Sequence, residues 1–291
     1  MIRNITIKKN DLKINFHKFV LLYYFVVYSI PSIRIYRPIY WSSLILVLCG
    51  LFFLIIKSKF KMNIYIMWVF VFNFILLSSI LWAVNKEYAF DAAASMIAVS
   101  IICVYISLLI NNINDFYEVL KLFVLSKIIM SFYIVFNIDL SIVGSMRIGG
   151  NVLGEFWNAN TIGLNLSIAT LMILLILLRE KSICKKIFFI LVIIFFLFLT
   201  FLTGSRKAFL MVLLGIGGFF LLNSRKNVLV RIVFTVIIVL FIHRIIVNIP
   251  IFYNVLGFRI EKMFAVFGDQ SMSDHSTLAR LSMINYGIDF F

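Results

Sequence analysis

The sequence predicts an all-α, polytopic membrane protein: a helical bundle of about nine transmembrane segments followed by an extracytoplasmic C-terminal segment. Three observations carry this prediction. Of 291 residues, 63% are hydrophobic and only 13% charged, and the mean hydropathy is +1.09, more apolar surface than a soluble core needs. The apolar residues come in long unbroken runs such as 188-FFILVIIFFLFLTFL-202, without the alternation of a β-barrel. Only 3 prolines and 13 glycines are present, in keeping with helices.

Runs close to the roughly 20 apolar residues that cross a bilayer delimit spans at 18–33, 39–56, 64–84, 92–110, 119–137, 160–178, 187–203, 206–222 and 232–249. The first follows a basic N-terminus with no small-residue cleavage site, so it reads as a retained helix and not a removed signal. Lys and Arg cluster before the first span (Arg3, Lys8, Lys9, Lys13, Lys18) and after the second (Lys57, Lys59, Lys61). Further clusters follow the sixth (Arg179, Lys181, Lys185, Lys186) and the eighth (Arg225, Lys226, Arg231). Alternation of the spans puts all four clusters on one side, which the positive-inside rule makes cytoplasmic, N-terminus included. The weakly acidic connection 111-NNINDFYE-118 falls on that side as well.

The same rule explains much of the net charge of +15, and no nucleic-acid module accompanies it. Lys127 falls inside the fifth span, where snorkelling towards the cytoplasmic boundary is the expectation. Cys49, Cys103 and Cys184 have no paired spacing. They read as inert packing residues, with neither a metal site nor a disulfide framework.

The opposite face receives 34-RIYRP-38, a short 85-NKEYAF-90 turn, the 137–159 loop, the 203-TGSRK-207 turn and everything after about residue 249. This divides the chain into a transmembrane domain, 1–249, and an extracytoplasmic segment with a short helix, 250–291. Counted from Ser205 to Leu222, the eighth span covers roughly 27 Å at 1.5 Å per residue, just adequate for a bilayer. A re-entrant hairpin over 187–222 is the alternative for that region.

Three groups of polar residues stand out on the outer face. The first is 144-GSMRIGGNVLGEFWNANTIG-163, where Arg147 precedes two glycines that allow a tight backbone near a ligand. Asn158 and Asn160 suit either a helix cap or hydrogen bonds to sugar hydroxyls. Trp157 suits an interface anchor or a sugar-stacking ring. The second is the TGSRK turn. Gly204 and Ser205 break the helix, amides opening the next helix favour an anion, Arg206 offers a planar fork of donors, and Lys207 adds a point charge. Cations binding lipid headgroups are the plainer reading of that turn.

The third is 272-MSDHSTLARLSMINYGIDFF-291. There Asp274, Ser276 or Thr277 can cap a helix with Leu278, Leu281, Ile284 and Ile288 on one stripe and Arg280 off it. His275 reads as a solvated loop residue, and His243 and Arg244 as snorkelling side chains. No metalloprotease, phosphate-loop, hydrolase-elbow or paired-carboxylate motif occurs, and sparse acids argue against a proton relay.

Taken together, R-x-G-G…N-x-N before a span (Arg147, Gly149, Gly150, Asn158, Asn160), T-G-S-R between two spans (Thr203 to Arg206) and S-T-x-x-R-L (Ser276, Thr277, Arg280, Leu281) resemble the O-antigen ligase and Wzy-type polysaccharide polymerase family. The resemblance implies a metal-independent, cofactor-free glycosyltransferase. Such enzymes move or polymerise glycan units from an undecaprenyl diphosphate carrier onto an acceptor glycan or glycolipid, at the outer face of the bacterial cytoplasmic membrane. It implies that Arg206 and Arg280 act on the diphosphate, with Arg147 a looser match; the chemistry of the residues themselves, not the resemblance, suggests Asn158, Asn160, Ser205 and Lys207 for substrate binding. Family members continue into a P-x-x-G-x-G segment and a histidine-bearing motif. The chain ends at Phe291 before these, so the expectation is a C-terminally truncated member in which His275 does not stand for that histidine. The alternatives are a transporter or flippase for a lipid-linked or anionic solute, and an inactive remnant.

Overall fold

A computed structural model describes residues 9–56, 62–138, 147–149, 157–223, 228–264, 279, 282–284, 286 and 288. All regular structure among them is helical. Among the described residues six helices are long and apolar enough to cross a membrane: Arg37–Ile56, Ile64–Trp82, Lys86–Leu109, Ile113–Asn137, Ala159–Leu177 and Ile183–Leu202. The chain is thus an all-α bundle of the multi-pass membrane kind.

In chain order the helices are α1 (Lys9–Ser29), α2 (Pro31–Arg34), α3 (Arg37–Ile56), α4 (Ile64–Ser79, continued by a 3₁₀ turn to Trp82), α5 (Lys86–Leu109) and α6 (Ile113–Asn137). They continue as α7 (Ala159–Leu177), α8 (Ile183–Leu202), α9 (Arg206–Asn223), α10 (Val228–Asn248), α11 (Pro250–Phe252) and α12 (Phe258–Phe264). Two compact units divide the chain, Met1–Ser126 and Lys127–Phe291, with the boundary inside α6.

Several helix edges differ from the apolar runs, and each has a local cause. The first helix stops at Ser29, not 33, because Pro31 disfavours helical geometry in Ile30 (φ −107°, ψ 99°) and instead opens the separate turn α2. The expected 85–90 turn contracts. Asn85 accepts a hydrogen bond from the Tyr88 amide at 3.0 Å and starts α5 at Lys86, so polar Lys86 and Glu87 belong to the helix. Asn112 acts likewise for α6, its Oδ1 accepting from the Asn114 and Asp115 amides at 2.8 and 2.9 Å.

The first unit packs α1, α3 and α5 around Val20, Leu21, Tyr24, Val47, Ile102 and Tyr105. Only 6% of the Ile64–Trp82 span is buried, because α4 packs along α5 on one side and leaves much of its surface exposed. Cys49 is exposed, as is Cys184 in the second unit, so neither is the packing residue expected.

The second unit centres on α7, which packs against both α8 and α9. Its buried face carries Leu166, Ala169, Ile173 and Ile176. Close approach to α9 rests on small residues: a Cβ at Gly163 would lie 2.8 Å from Ala208 Cβ, and one at Gly215 only 2.3 Å from Leu171 Cδ2. Ser167 Oγ donates to the Ala208 carbonyl at 3.0 Å, crossing between the helices. α8 and α9 touch each other far less than either touches α7, unlike the arms of a tight hairpin. Lys127 is 1% exposed, which corrects the snorkelling expectation, since a snorkelling amine would reach the surface.

At Ile249–Pro250 the chain turns by 91°. Proline supplies no N–H and pushes Ile249 out of helical geometry (φ −95°, ψ 112°). The segment after it is helical from Pro250 to Phe264, with a wider turn over Tyr253–Gly257. It packs on α8 and α10. Farther on, every described residue between 279 and 288 is helical.

Candidate functional site

The connection from α8 to α9 is three residues, Thr203–Gly204–Ser205. The helix can end so abruptly because Gly204 adopts φ +57°, the left-handed region open to glycine. The Thr203 amide donates to Leu199 O at 3.1 Å and the Gly204 amide to Phe201 O at 2.9 Å, closing the last carbonyls of α8. Thr203 Oγ1 donates to Thr200 O at 2.7 Å and accepts from the Ser205 amide at 3.3 Å. Ser205 Oγ accepts from the Ala208 amide at 3.3 Å and caps α9. Thr203 and Ser205 are 0% and 1% exposed, so the Ser205 hydroxyl faces the start of its own helix.

Arg206 is the first residue of α9 and half-buried. One of its Nη atoms donates to the Arg259 carbonyl at 3.3 Å. Arg259 lies on α12, which the Pro250 bend brings over the turn. A Cβ at Gly204 would sit 2.5 Å from Val255 O and 3.3 Å from Arg147 Cγ. The segment after Pro250 and Arg147 thus close on the same glycine.

Arg147 binds the other side of the turn. Its Nε donates to Thr203 O at 2.9 Å and an Nη to Asn160 Oδ1 at 3.3 Å, while the Ile148 amide donates to Leu202 O at 3.0 Å. Residues 147–149 therefore cap the C-terminus of α8, where a cation also meets the negative end of the helix dipole. Gly149 lets this segment touch the start of α7, since a Cβ there would be 2.9 Å from Ala159 Cβ.

Of the two readings open for Asn158, the structure shows the cap: its Oδ1 accepts from the Asn160 and Thr161 amides at 2.8 and 3.4 Å. Asn160 instead orients Arg147. Trp157 corrects the expected interface anchor or sugar platform: it is 2% exposed and stacks on Tyr133, ring centroids 5.7 Å apart and 15° between planes. The indole thus packs on α6 just before α7 begins.

The structure therefore brings Arg147, Arg206, Asn160, Ser205 and exposed Lys207 around one turn, with Asn158 two residues before Asn160. Arg280 lies outside the described residues, as do Gly150, Glu155, His275, Ser276, Thr277 and Leu281. Arg259, to which no expectation attached, joins the cluster through its main-chain carbonyl. Its sole sequence signal is position, in the first turns after the Pro250 break. Beside it, Lys262 Nζ lies 4.4 Å from the Phe258 ring centroid, and Tyr253 donates to Glu261 Oε2 at 2.8 Å.

Chemically the arrangement holds two guanidinium groups, Arg147 and Arg206, at the turn that opens α9, each donating to a main-chain carbonyl. Such a setting favours an oxyanion ligand. Among the described residues no group of three His, Cys, Asp or Glu side chains is placed to hold a metal ion. No family model, characterised protein or solved structure matches the chain.

Proposed function

We propose that the chain is a membrane glycosyltransferase. It moves or polymerises glycan units from an undecaprenyl diphosphate carrier onto an acceptor glycan at the outer face of the bacterial cytoplasmic membrane. In this reading the chain crosses nine times, with α1, α9 and α10 joining the six apolar spans, and the N-terminus is cytoplasmic. The supporting observation is the gathering of Arg147 and Arg206 at a single turn ending α8, with the Arg259 main-chain carbonyl closing over it. That turn is where the sequence resemblance places a diphosphate-binding arginine.

Arg206 holds the diphosphate and Arg280 assists it, while Lys207 contributes charge. Arg147, steered by Asn160, fixes the turn and lends positive field. An acceptor hydroxyl attacks the anomeric carbon as the bond to the diphosphate breaks, and its proton leaves with the departing diphosphate. Cations fixed beforehand stabilise the charge growing on that leaving group without a divalent ion. Replacing Arg206 by Ala is expected to reduce transfer from an undecaprenyl diphosphate-linked donor in proteoliposomes by about 10²-fold, the loss typical of one oxyanion contact. Lys would restore little, lacking the bidentate fork. Near-normal polymer formation by Arg206→Ala would sink the proposal.

One observation favours a second reading, transport of an anionic or lipid-linked solute. Lys127, in the middle of the Ile113–Asn137 span, is 1% exposed, and intramembrane cations commonly mark solute pathways. If transport is the activity, Lys127→Met will abolish solute movement across vesicles. If transfer is the activity, the same variant will alter transfer far less than Arg206→Ala does.

A further inference from the structure

The first unit carries another cationic feature, distant in sequence from the turn. After α1 the chain passes Ile30, 2% exposed, and Pro31 opens the single turn α2. That elbow is fixed by its own backbone. The amides of Ile33 and Arg34 donate to Ile30 O at 3.0 Å each, Ile35 donates to Pro31 O at 3.1 Å, and Tyr36 to Ile33 O at 3.1 Å. The elbow holds Arg34 with its guanidinium carbon 5.1 Å from the Tyr28 ring centroid and 5.8 Å from that of Tyr40.

Both rings are themselves supported. Tyr28 stacks on Tyr24 at 5.9 Å and 15°, and Tyr24 is 4% exposed. Tyr40 meets Trp41 edge-on at 6.0 Å. Ring-face contacts engage the cation without using any of its five N–H donors. Among the described residues those donors have no hydrogen-bond acceptor, and Arg34 has no carboxylate within ion-pair distance. Between Asp11 and Glu87 the sequence has no acidic residue. Arg37 stands three residues on, and Tyr36 and Trp41 are 68% and 57% exposed.

The elbow sits where the Arg37–Ile56 span begins, the depth at which Tyr and Trp meet lipid headgroups and at which lipid phosphates lie. We infer that Arg34, clamped between Tyr28 and Tyr40, forms with Arg37 a binding site for the phosphodiester of an anionic phospholipid headgroup. A merely anchoring arginine would leave its long side chain mobile. Here two rings pre-order the guanidinium, so its fork is oriented before the lipid arrives. Tyr36 and Trp41 flank the headgroup, and the acyl chains run down the outward face of α3, where Ile45, Phe52 and Ile56 are exposed.

The test uses the full chain in a neutral detergent, titrated with phosphatidylglycerol, with phosphatidylcholine and with inorganic phosphate, and read by native mass spectrometry. Phosphatidylglycerol is expected to be retained preferentially. Arg34→Gln should weaken that retention by about tenfold, the scale of one charge-assisted contact. Tyr28→Leu should weaken it too while Tyr28→Phe does not, because the ring face and not the hydroxyl holds the cation. Lys186→Gln, which removes the same charge elsewhere, should leave retention unchanged. Equal retention by the parent chain and Arg34→Gln would overturn the site. Displacement of the lipid by millimolar phosphate would overturn its assignment to a lipid.

Discussion

Replacing Gly204 by Ala is expected to destabilise the second unit by about 3 kcal/mol or more. Two separate costs add. A side chain at φ +57° costs about 1 kcal/mol in left-handed backbone geometry. The added Cβ would also lie 2.5 Å from Val255 O and 3.0 Å from Val255 Cγ1, and the carbonyl belongs to backbone that cannot rotate aside. Relief requires lifting the 253–257 turn from α8, which carries Arg259 away from Arg206. The thermal midpoint in detergent should therefore fall, and under the proposed function transfer should fall with it.

Two companion variants separate these causes. Gly204→Asn, which tolerates the backbone angle but still brings a Cβ, should remain strongly destabilised. Gly218→Ala, where a Cβ meets nothing within 4 Å, should be neutral or stabilising by up to about 1 kcal/mol, as expected for alanine inside a helix. If Gly204→Ala melts with the parent, the close packing over the turn is wrong.

How much of this was visible in the sequence depends on what each residue responds to. Apolar runs located the helices well because burial in lipid and in protein both demand them. They misplaced helix starts at Lys86 and Ile113, because helices begin at capping asparagines and carry polar first turns outside the hydrocarbon. The break at Gly204–Ser205 was legible, since glycine and serine after an apolar run have few other uses. The burial of Lys127 and Trp157 was not, because neither composition nor periodicity reports which tertiary neighbour covers a side chain. Arg147 illustrates a mixed case. Its sequence neighbourhood suggested a ligand, and its geometry shows a clamp on Thr203 O and Asn160. Arg259 required the Pro250 bend, a three-dimensional event that brings together residues 53 positions apart.

The small-residue contact beneath the turn gives the second large effect. Gly163→Ala would place a Cβ 2.8 Å from Ala208 Cβ, 2.8 Å from Thr203 Oγ1 and 3.1 Å from Ser205 Cβ. Overpacking of that kind costs about 1–3 kcal/mol. Its upper end is expected here, because all three neighbours are buried at 0–1% exposure and the two hydroxyl residues are held by the caps on both sides of the turn. Separation of α7 from α9 would also stretch the 3.0 Å bond from Ser167 Oγ to Ala208 O. Ala208 stands two residues after Arg206 on α9, so the arginine must shift with the helix, and under the proposed function transfer should fall along with stability. Ala208→Gly alone should cost about 1 kcal/mol from helix propensity. Combined with Gly163→Ala it removes the Cβ–Cβ collision but not the one with Thr203, so the double variant should recover part of the loss. A coupling of about 1 kcal/mol in the double-mutant cycle, read from thermal or denaturant unfolding, is the expected result. Strict additivity would mean that α7 and α9 do not meet at this pair, and the turn would lose the floor that fixes Arg206.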